Sequence, residues 1–229
     1  MKILTASTTY LHYIVDNPIA PRLTLAGNIL ESSFDTLINT FISDQVGISE
    51  DFLTKSLSLN LQKHLLSLHE ANLMSLAGTG NAMVALQNSA IRGDKIHWLD
   101  RKHDNEHENA FFDVIDAFIL HLNNTCYTGI NDYEFHYTIY EAGRFYKKHV
   151  DQFNNNTNRK YSMIIYLNED WILADGGQLR IHHQQNTQDI SPLSRKGVFF
   201  NSNTTEHEVM ITNKSRMSIT GWLKVNHSS

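Results

Sequence analysis

Seven short stretches of strand character fill the chain from about residue 130 to residue 225, and only a fold with extensive β-structure can house them. They are 134–140, 146–151, 162–167, 178–182, 197–200, 206–211 and 216–225. Turn formers separate them: 154–158, Asp175-Gly176-Gly177 and Asn213-Lys214-Ser215. Pro192 falls between strands, where its missing N–H costs no ladder bond. Before residue 130 the period is helical. Phe34, Leu37, Ile38, Phe41 and Ile42 make an amphipathic stripe at i, i+3, i+4, i+7 and i+8. A second helix is predicted over 55–72, with Leu57, Leu61, Leu65 and Leu68 on one side. A third is predicted over 108–123, with Phe111, Val114, Ile115, Phe118 and Leu122 inward. The small-residue-rich stretch 76–91 reads as a mobile loop. The class is therefore α+β, a jelly roll buttressed by N-terminal helices. A single domain over 1–229 is expected, with 1–130 mainly helical support and 131–225 the β-core.

Bulk chemistry narrows the partners. Hydrophobic residues at 41% and charged residues at 19% fit a soluble globular chain. A net charge of -5 argues against a generally basic nucleic-acid binder, although Arg144, Lys147, Lys148, Arg159 and Lys160 are placed to form a local basic rim. The single cysteine, Cys126, excludes an intrachain disulfide framework and fits a reducing compartment. The first residues have no clean apolar core of a secretory leader, and no run of about 18 apolar residues exists. A cytoplasmic protein is expected, without a membrane partner.

The chemistry concentrates in His149-Val150-Asp151 and in His207, 58 positions after His149. Two histidines and one carboxylate are what a non-haem ferrous site needs if positions are to remain open. On a strand, His149 and Asp151 share a face while Val150 points away. Two readings of the triplet stand, an iron site or a surface strand with a solvated carboxylate. His207 shares parity with Val209 and Ile211 and can project into a barrel. Arg216, nine residues further on, can grip a carboxylate with two parallel hydrogen bonds. It shares parity with Ser218, Thr220 and Trp222, while Met217, Ile219 and Leu223 take the other face.

The stretches RFYKKHVDQF, MIIYLNEDW, GGQLRIH, HEV and RMSITGW, with IRGDKIHWLD upstream, resemble the prolyl 4-hydroxylases. The likeness leans to the hypoxia-inducible-factor prolyl hydroxylases and their bacterial relatives, and covers about residues 45–225. It implies a double-stranded β-helix, cupin-like, that binds Fe(II), 2-oxoglutarate and O2, with L-ascorbate as reductant. By motif, His149, Asp151 and His207 would hold the iron. Arg216 and Tyr166 would hold the distal carboxylate of 2-oxoglutarate. Tyr140, Tyr146, Leu179, Val209, Thr220 and Trp222 would line the pocket, although the tyrosines can also be read as core. Arg159, Asp94 and Arg92 would lie at the substrate mouth, with Arg159 and Asp94 close together. The implied substrate is a proline-containing protein or peptide, acted on by a monomer. A dioxygenase on a nucleobase or small molecule and a non-catalytic cupin-like binding module are the competing readings. The turn Glu141-Ala142-Gly143-Arg144 is shorter than the family's glycine-rich turn, which puts the placement of Tyr140 in question.

Overall fold

The computed structural model describes residues 20–77, 91–151 and 158–226, the side chains of 20–29 excepted. In chain order the elements are α1 (Ala20–Asp44), β1 (Val46–Ser49), α2 (Lys55–Glu70), β2 (Ser75–Leu76), β3 (Asp94–Trp98), α3 (Glu106–Cys126), β4 (Asp132–Tyr140), β5 (Tyr146–His149), β6 (Arg159–Tyr166), β7 (Leu179–His182), β8 (Thr187–Ile190), β9 (Gly197–Asn201), β10 (Glu206–Val209) and β11 (Arg216–Lys224). Short 3-10 turns lie at Arg101–His103 and Leu173–Asp175. Among the described residues no helix is long and apolar enough to cross a membrane.

Each predicted helix is present, and local chemistry explains two of the starts. The Thr54 hydroxyl accepts from the Leu57 N–H ahead of α2. The Asn105 side chain accepts from the N–H groups of His107 and Glu108 at the head of α3. Both use a short polar side chain to satisfy donors that have no partner within the helix. Tyr127 stops α3 by taking the left-handed conformation, φ 53°. Ile42 departs from the expected stripe and is 69% exposed. The strand β1 passes so close at Gly47 that an added Cβ would strike Leu37 and Phe41, which sets the buried side of α1.

The strands form two antiparallel sheets. The larger runs β1-β9-β6-β11-β4-β3-β2 and the smaller β5-β10-β7-β8. This is the jelly roll that the turn-separated strands foretold. Four strands were not foreseen. β1, β2 and β3 arise before residue 130 and extend the larger sheet, and β8 closes the edge of the smaller one.

Alternation along β4 and β11 divides the interior in two. Phe135, Tyr137 and Ile139 with Met217, Ile219 and Leu223 face the helices and pack against Phe111, Ile115 and Phe118. The opposite parity faces the gap between the sheets. Ile164, Tyr166, Leu179, Ile181, Val198 and Phe200 fill one part of that gap. The remainder is a cavity of about 220 Å³. The helices thus support one face of the larger sheet and leave its other face for chemistry.

Candidate active site

The smaller sheet carries two of the three candidate metal ligands. β10 pairs antiparallel with β5 so that His207 lies opposite His149. Asp151 lies past the end of β5, which stops at His149, so strand alternation alone does not bring it in. Its N–H donates to the carbonyl of Ser202 at 3.1 Å, which turns the carboxylate back toward the histidines. One ligand atom from each of His149, Asp151 and His207 lies within 4.8 Å of the others. Asp151 Oδ1 is 3.4 Å from His149 Nε2 and 3.6 Å from His207 Nε2.

The surroundings fix each ligand's state. His149 Nδ1 lies 2.7 Å from the carbonyl of Lys147, and His207 Nδ1 lies 3.0 Å from that of Thr205. A carbonyl can only accept, so both Nδ1 atoms carry a proton and it is Nε2 of each ring that faces the centre. The hydroxyl of Ser162 donates to Asp151 Oδ2 at 2.7 Å. Ser202 lies 2.9 Å beyond it, and its hydroxyl is the donor once that of Ser162 is committed. Burial works to raise the Asp151 carboxyl, but His207, His149 and the Ser162 hydroxyl outweigh it and hold it well below the ordinary carboxylate range. Burial lowers His207, against the pull of Asp151. Two imidazoles that present Nε2, one carboxylate and oriented outer partners make a donor set that fits Fe(II).

The larger sheet carries the other pole. Across its ladder Asp94, Tyr140 and Arg216 lie opposite one another, as do Ile96, Thr138 and Ser218, and Trp98, His136 and Thr220. Arg216 is 2% exposed, and its Nε donates to the carbonyl of Gly177 at 2.7 Å. That carbonyl is presented by a glycine at φ +65°. The guanidinium sits 5.0 Å from the Tyr166 ring and 5.4 Å from the Tyr140 ring. Arg216 Nη2, the Tyr166 hydroxyl and Trp222 Nε1 are buried without a hydrogen-bond partner among the described residues. Burial raises the Tyr166 phenol, against the lowering influence of Arg216, so it stays protonated and remains a donor. A dry unpaired donor costs about 1–3 kcal/mol, so the buried Nη2 of Arg216 in the cavity wall calls for an acceptor such as a carboxylate.

Most of the anticipated residues converge on one cavity. Its lining includes the triad, Arg216, Tyr140, Tyr146, Leu179, Val209, Thr220, Trp222, Arg159, Asp94 and Arg92. Tyr140 occupies the ladder beside Arg216 despite the short turn that follows it. Ile211 is 58% exposed and lies beyond the end of β10, so its parity with His207 has no inward meaning. Arg159 and Asp94 do not sit together. Asp94 lies opposite Tyr140 at one end of β4, while Arg159 lies in register with Lys224 and so with Asp132 at the other. That is roughly 25 Å of strand at about 3.3 Å per residue. Asp94 takes Arg92 as its partner, and Arg159 takes Glu134 at 2.7 Å while lying 3.4 Å over the Trp222 ring.

Sequence reasoning missed His136, Thr138, Trp98 and Ile96, which also line the cavity. A signal existed. Residues 136 and 138 share parity with Tyr140, and 96 and 98 share parity with Asp94. The expected mobile stretch 76–91 and the turn 154–158 fall mostly outside the described residues.

Residues 135–224 match the family model of the 2OG-Fe(II) oxygenase superfamily. A prolyl-4-hydroxylase from Pseudomonas putida is 28% identical, with a TM-score of 0.76 over 85% of this chain and 100% of that one. A prolyl hydroxylase from Trichoplax adhaerens, solved with a peptide fragment of the hypoxia-inducible-factor oxygen degradation domain, is 24% identical. It has a TM-score of 0.76 over 88% of this chain and 93% of that one. A non-haem α-ketoglutarate-dependent epimerase of nogalamycin biosynthesis shares the fold at 11% identity, with a TM-score of 0.61 over 85% of this chain and 84% of that one. Residues 135–224 thus match the 2OG-Fe(II) oxygenase superfamily in sequence and carry a donor set that suits it, and the chain resembles the prolyl 4-hydroxylases.

Proposed function

We propose that this protein hydroxylates a prolyl residue of a polypeptide, with Fe(II) held by His149, Asp151 and His207 and 2-oxoglutarate held by Arg216 and Tyr166. The observation that carries the reading is the pairing of two poles in one cavity. The three candidate ligands lie on one wall and the unpartnered Nη2 of Arg216 on the other, while Tyr166 packs outside the lining with its ring 5.0 Å from the guanidinium. When bound, iron and 2-oxoglutarate supply oxidation by O2, with one oxygen atom passing to succinate as CO2 leaves and the other becoming the new hydroxyl. L-Ascorbate would keep the iron ferrous between turnovers.

The remaining roles belong to this chain's own groups. Ser162 and Ser202 keep Asp151 ionised and aimed. Gly177 holds Arg216 through Nε, which leaves Nη2 for the distal carboxylate as a charge-assisted bond. Tyr166 donates its phenol to the same group. Leu179, Val209, Ile164 and Thr220 exclude water from the chamber. Trp98, Trp222 and Tyr146 offer flat apolar walls suited to a pyrrolidine ring, and Arg159, held over Trp222, stands at the polypeptide side.

The basic rim gives little support to a nucleic-acid substrate. Of its residues, Arg159 is neutralised by Glu134 and Lys148 by Glu206. A monomeric enzyme in a reducing, cytoplasmic setting suits the lone exposed Cys126. The test is mass spectrometry of proline peptides incubated with enzyme, Fe(II) and 2-oxoglutarate. A gain of one oxygen on proline, absent without 2-oxoglutarate, supports the proposal. Succinate formation with a small-molecule substrate but with no proline peptide or protein would replace it.

A further inference from the structure

We infer that Arg92, clamped by Asp94, is a positioning residue for the metal ligand His149 and acts through the ring of Tyr146. The inference rests on the metal reading of His149. β5 is the edge strand of the smaller sheet, and its central Lys147 and Lys148 are exposed, so burial does little to hold it. Its pairing with β10 is irregular between His207 and Val209. Its other flank is held by residues 91–93. The Lys147 N–H donates to the Ile91 carbonyl at 2.9 Å, the Gly93 N–H donates to the Phe145 carbonyl at 3.1 Å, and Arg92 bridges Tyr146.

The side chains continue the same path. The Tyr146 ring stacks on the His149 imidazole, with centroids 3.6 Å apart and planes 17° apart. The Arg92 guanidinium lies 4.5 Å from the Tyr146 ring centroid. Arg92 cannot swing away, because its Nε and Nη2 donate to the two oxygens of Asp94 at 2.7 and 2.5 Å. Asp94 is 1% exposed and lies in the larger sheet opposite Tyr140. A stacked ring has an electron-rich face, which favours a cation on either side. An imidazole bound to a divalent ion is partly cationic, so the Tyr146 ring is in contact with two such groups. The hydrogen bond from Nδ1 to Lys147 sets which nitrogen faces the metal, and the stack sets the plane of the ring. Arg92 and Asp94 thereby tie a ligand on the weakly held edge of one sheet to the body of the other.

Co(II) is the probe. Its binding to metal-free protein is read by calorimetry, and its visible absorption is read at saturation. Wild type should bind one ion, and His207→Ala should lose it. Equal binding by both would overturn the metal reading itself and the inference with it. Given that control, Tyr146→Leu and Arg92→Met should each weaken Co(II) about 10- to 100-fold, the range for groups that orient a ligand, and alter the absorption band. Tyr146→Phe keeps the ring face and should restore both. Metal-free melting curves show which variants fold. If Arg92→Met does not fold, Arg92→Lys, which loses the fork to Asp94, is read in its place. Wild-type affinity and spectrum in a folded Arg92 variant or in Tyr146→Leu would overturn the inference, as would a Phe variant as weak as the Leu one.

Discussion

At the scale of the residue, what distinguishes this site is which polar atoms are satisfied and which are not. The Arg216 Nε is committed to Gly177, while Nη2 and the Tyr166 hydroxyl are buried without partners among the described residues. Arg216→Lys keeps the charge and loses the fork. It is expected to weaken 2-oxoglutarate by roughly 10- to 150-fold, the worth of a lost charge-assisted bond of about 1.5–3 kcal/mol. Metal affinity should be nearly untouched. Titration of the cosubstrate against metal-loaded protein checks this, and an unchanged dissociation constant would remove the clamp. His136 supplies a pH prediction. It is 4% exposed, and burial pushes it down to about 4, with the Tyr137 carbonyl acting weakly the other way. The unfolded chain takes up this proton near 6.5, so it binds more protons than the folded chain between that value and 4. Stability from His136 is therefore complete above about 6.5 and lost as the pH falls toward 4, by up to about 3 kcal/mol. Urea unfolding at pH 7.5 and pH 5 should show a smaller loss in His136→Met than in wild type. An equal loss would place the acid sensitivity elsewhere.

At the scale of the element, the turn at Gly176–Gly177 links backbone conformation to cosubstrate binding. A Cβ on Gly177 would lie 3.1 Å from Arg216 Cδ and 3.0 Å from Thr212 Oγ1, at a φ of +65° that side chains disfavour. Gly177→Ala is expected to cost about 1–2 kcal/mol of stability and to weaken 2-oxoglutarate while sparing the metal. Cosubstrate and Co(II) titrations on the variant separate the two, and loss of both would mean the turn supports the whole sheet. Elements were legible in the sequence where a period had room to repeat. The stripes of α2 and α3 and the two parities of β11 needed only spacing. β1, β2 and β8 have four residues or fewer and too little alternation to rise above the turns around them. β3 was noticed for its charge and tryptophan, which hid its strand character. The triad was legible as a set of residues. That Asp151 arrives by a bond to Ser202 beyond the strand was not, because no local pattern specifies it. The separation of Arg159 from Asp94 was equally hidden, since it depends on the register of four strands.

At the scale of the whole molecule, the helical layer and the chemistry use opposite faces of the same sheet. The core between helices and sheet holds Phe111, Phe118, Phe135, Ile219 and Leu223 and includes none of the ligands. Removing the metal should therefore leave the fold intact. At a concentration about 100 times its dissociation constant, a ligand adds about 2.7 kcal/mol. For a chain of this size that is a fall in Tm of roughly 5–10 °C on chelation. Calorimetric melts with and without chelator check it, and loss of the far-ultraviolet spectrum on chelation would mean that the metal organises the fold. The division of the site between sheets has one more effect. His149 and His207 ride on the four-stranded sheet, Arg216 and Tyr166 on the seven-stranded one. Sandwiches loosen locally before they unfold, and the smaller, edge-held sheet is the part with less to lose. Warming would then part the oxidant from its fuel while the helices and the larger sheet stay folded. Cosubstrate consumption and product formation would then fall together some degrees below the melting point, so the useful temperature range of this protein is set by how well its two sheets keep their distance.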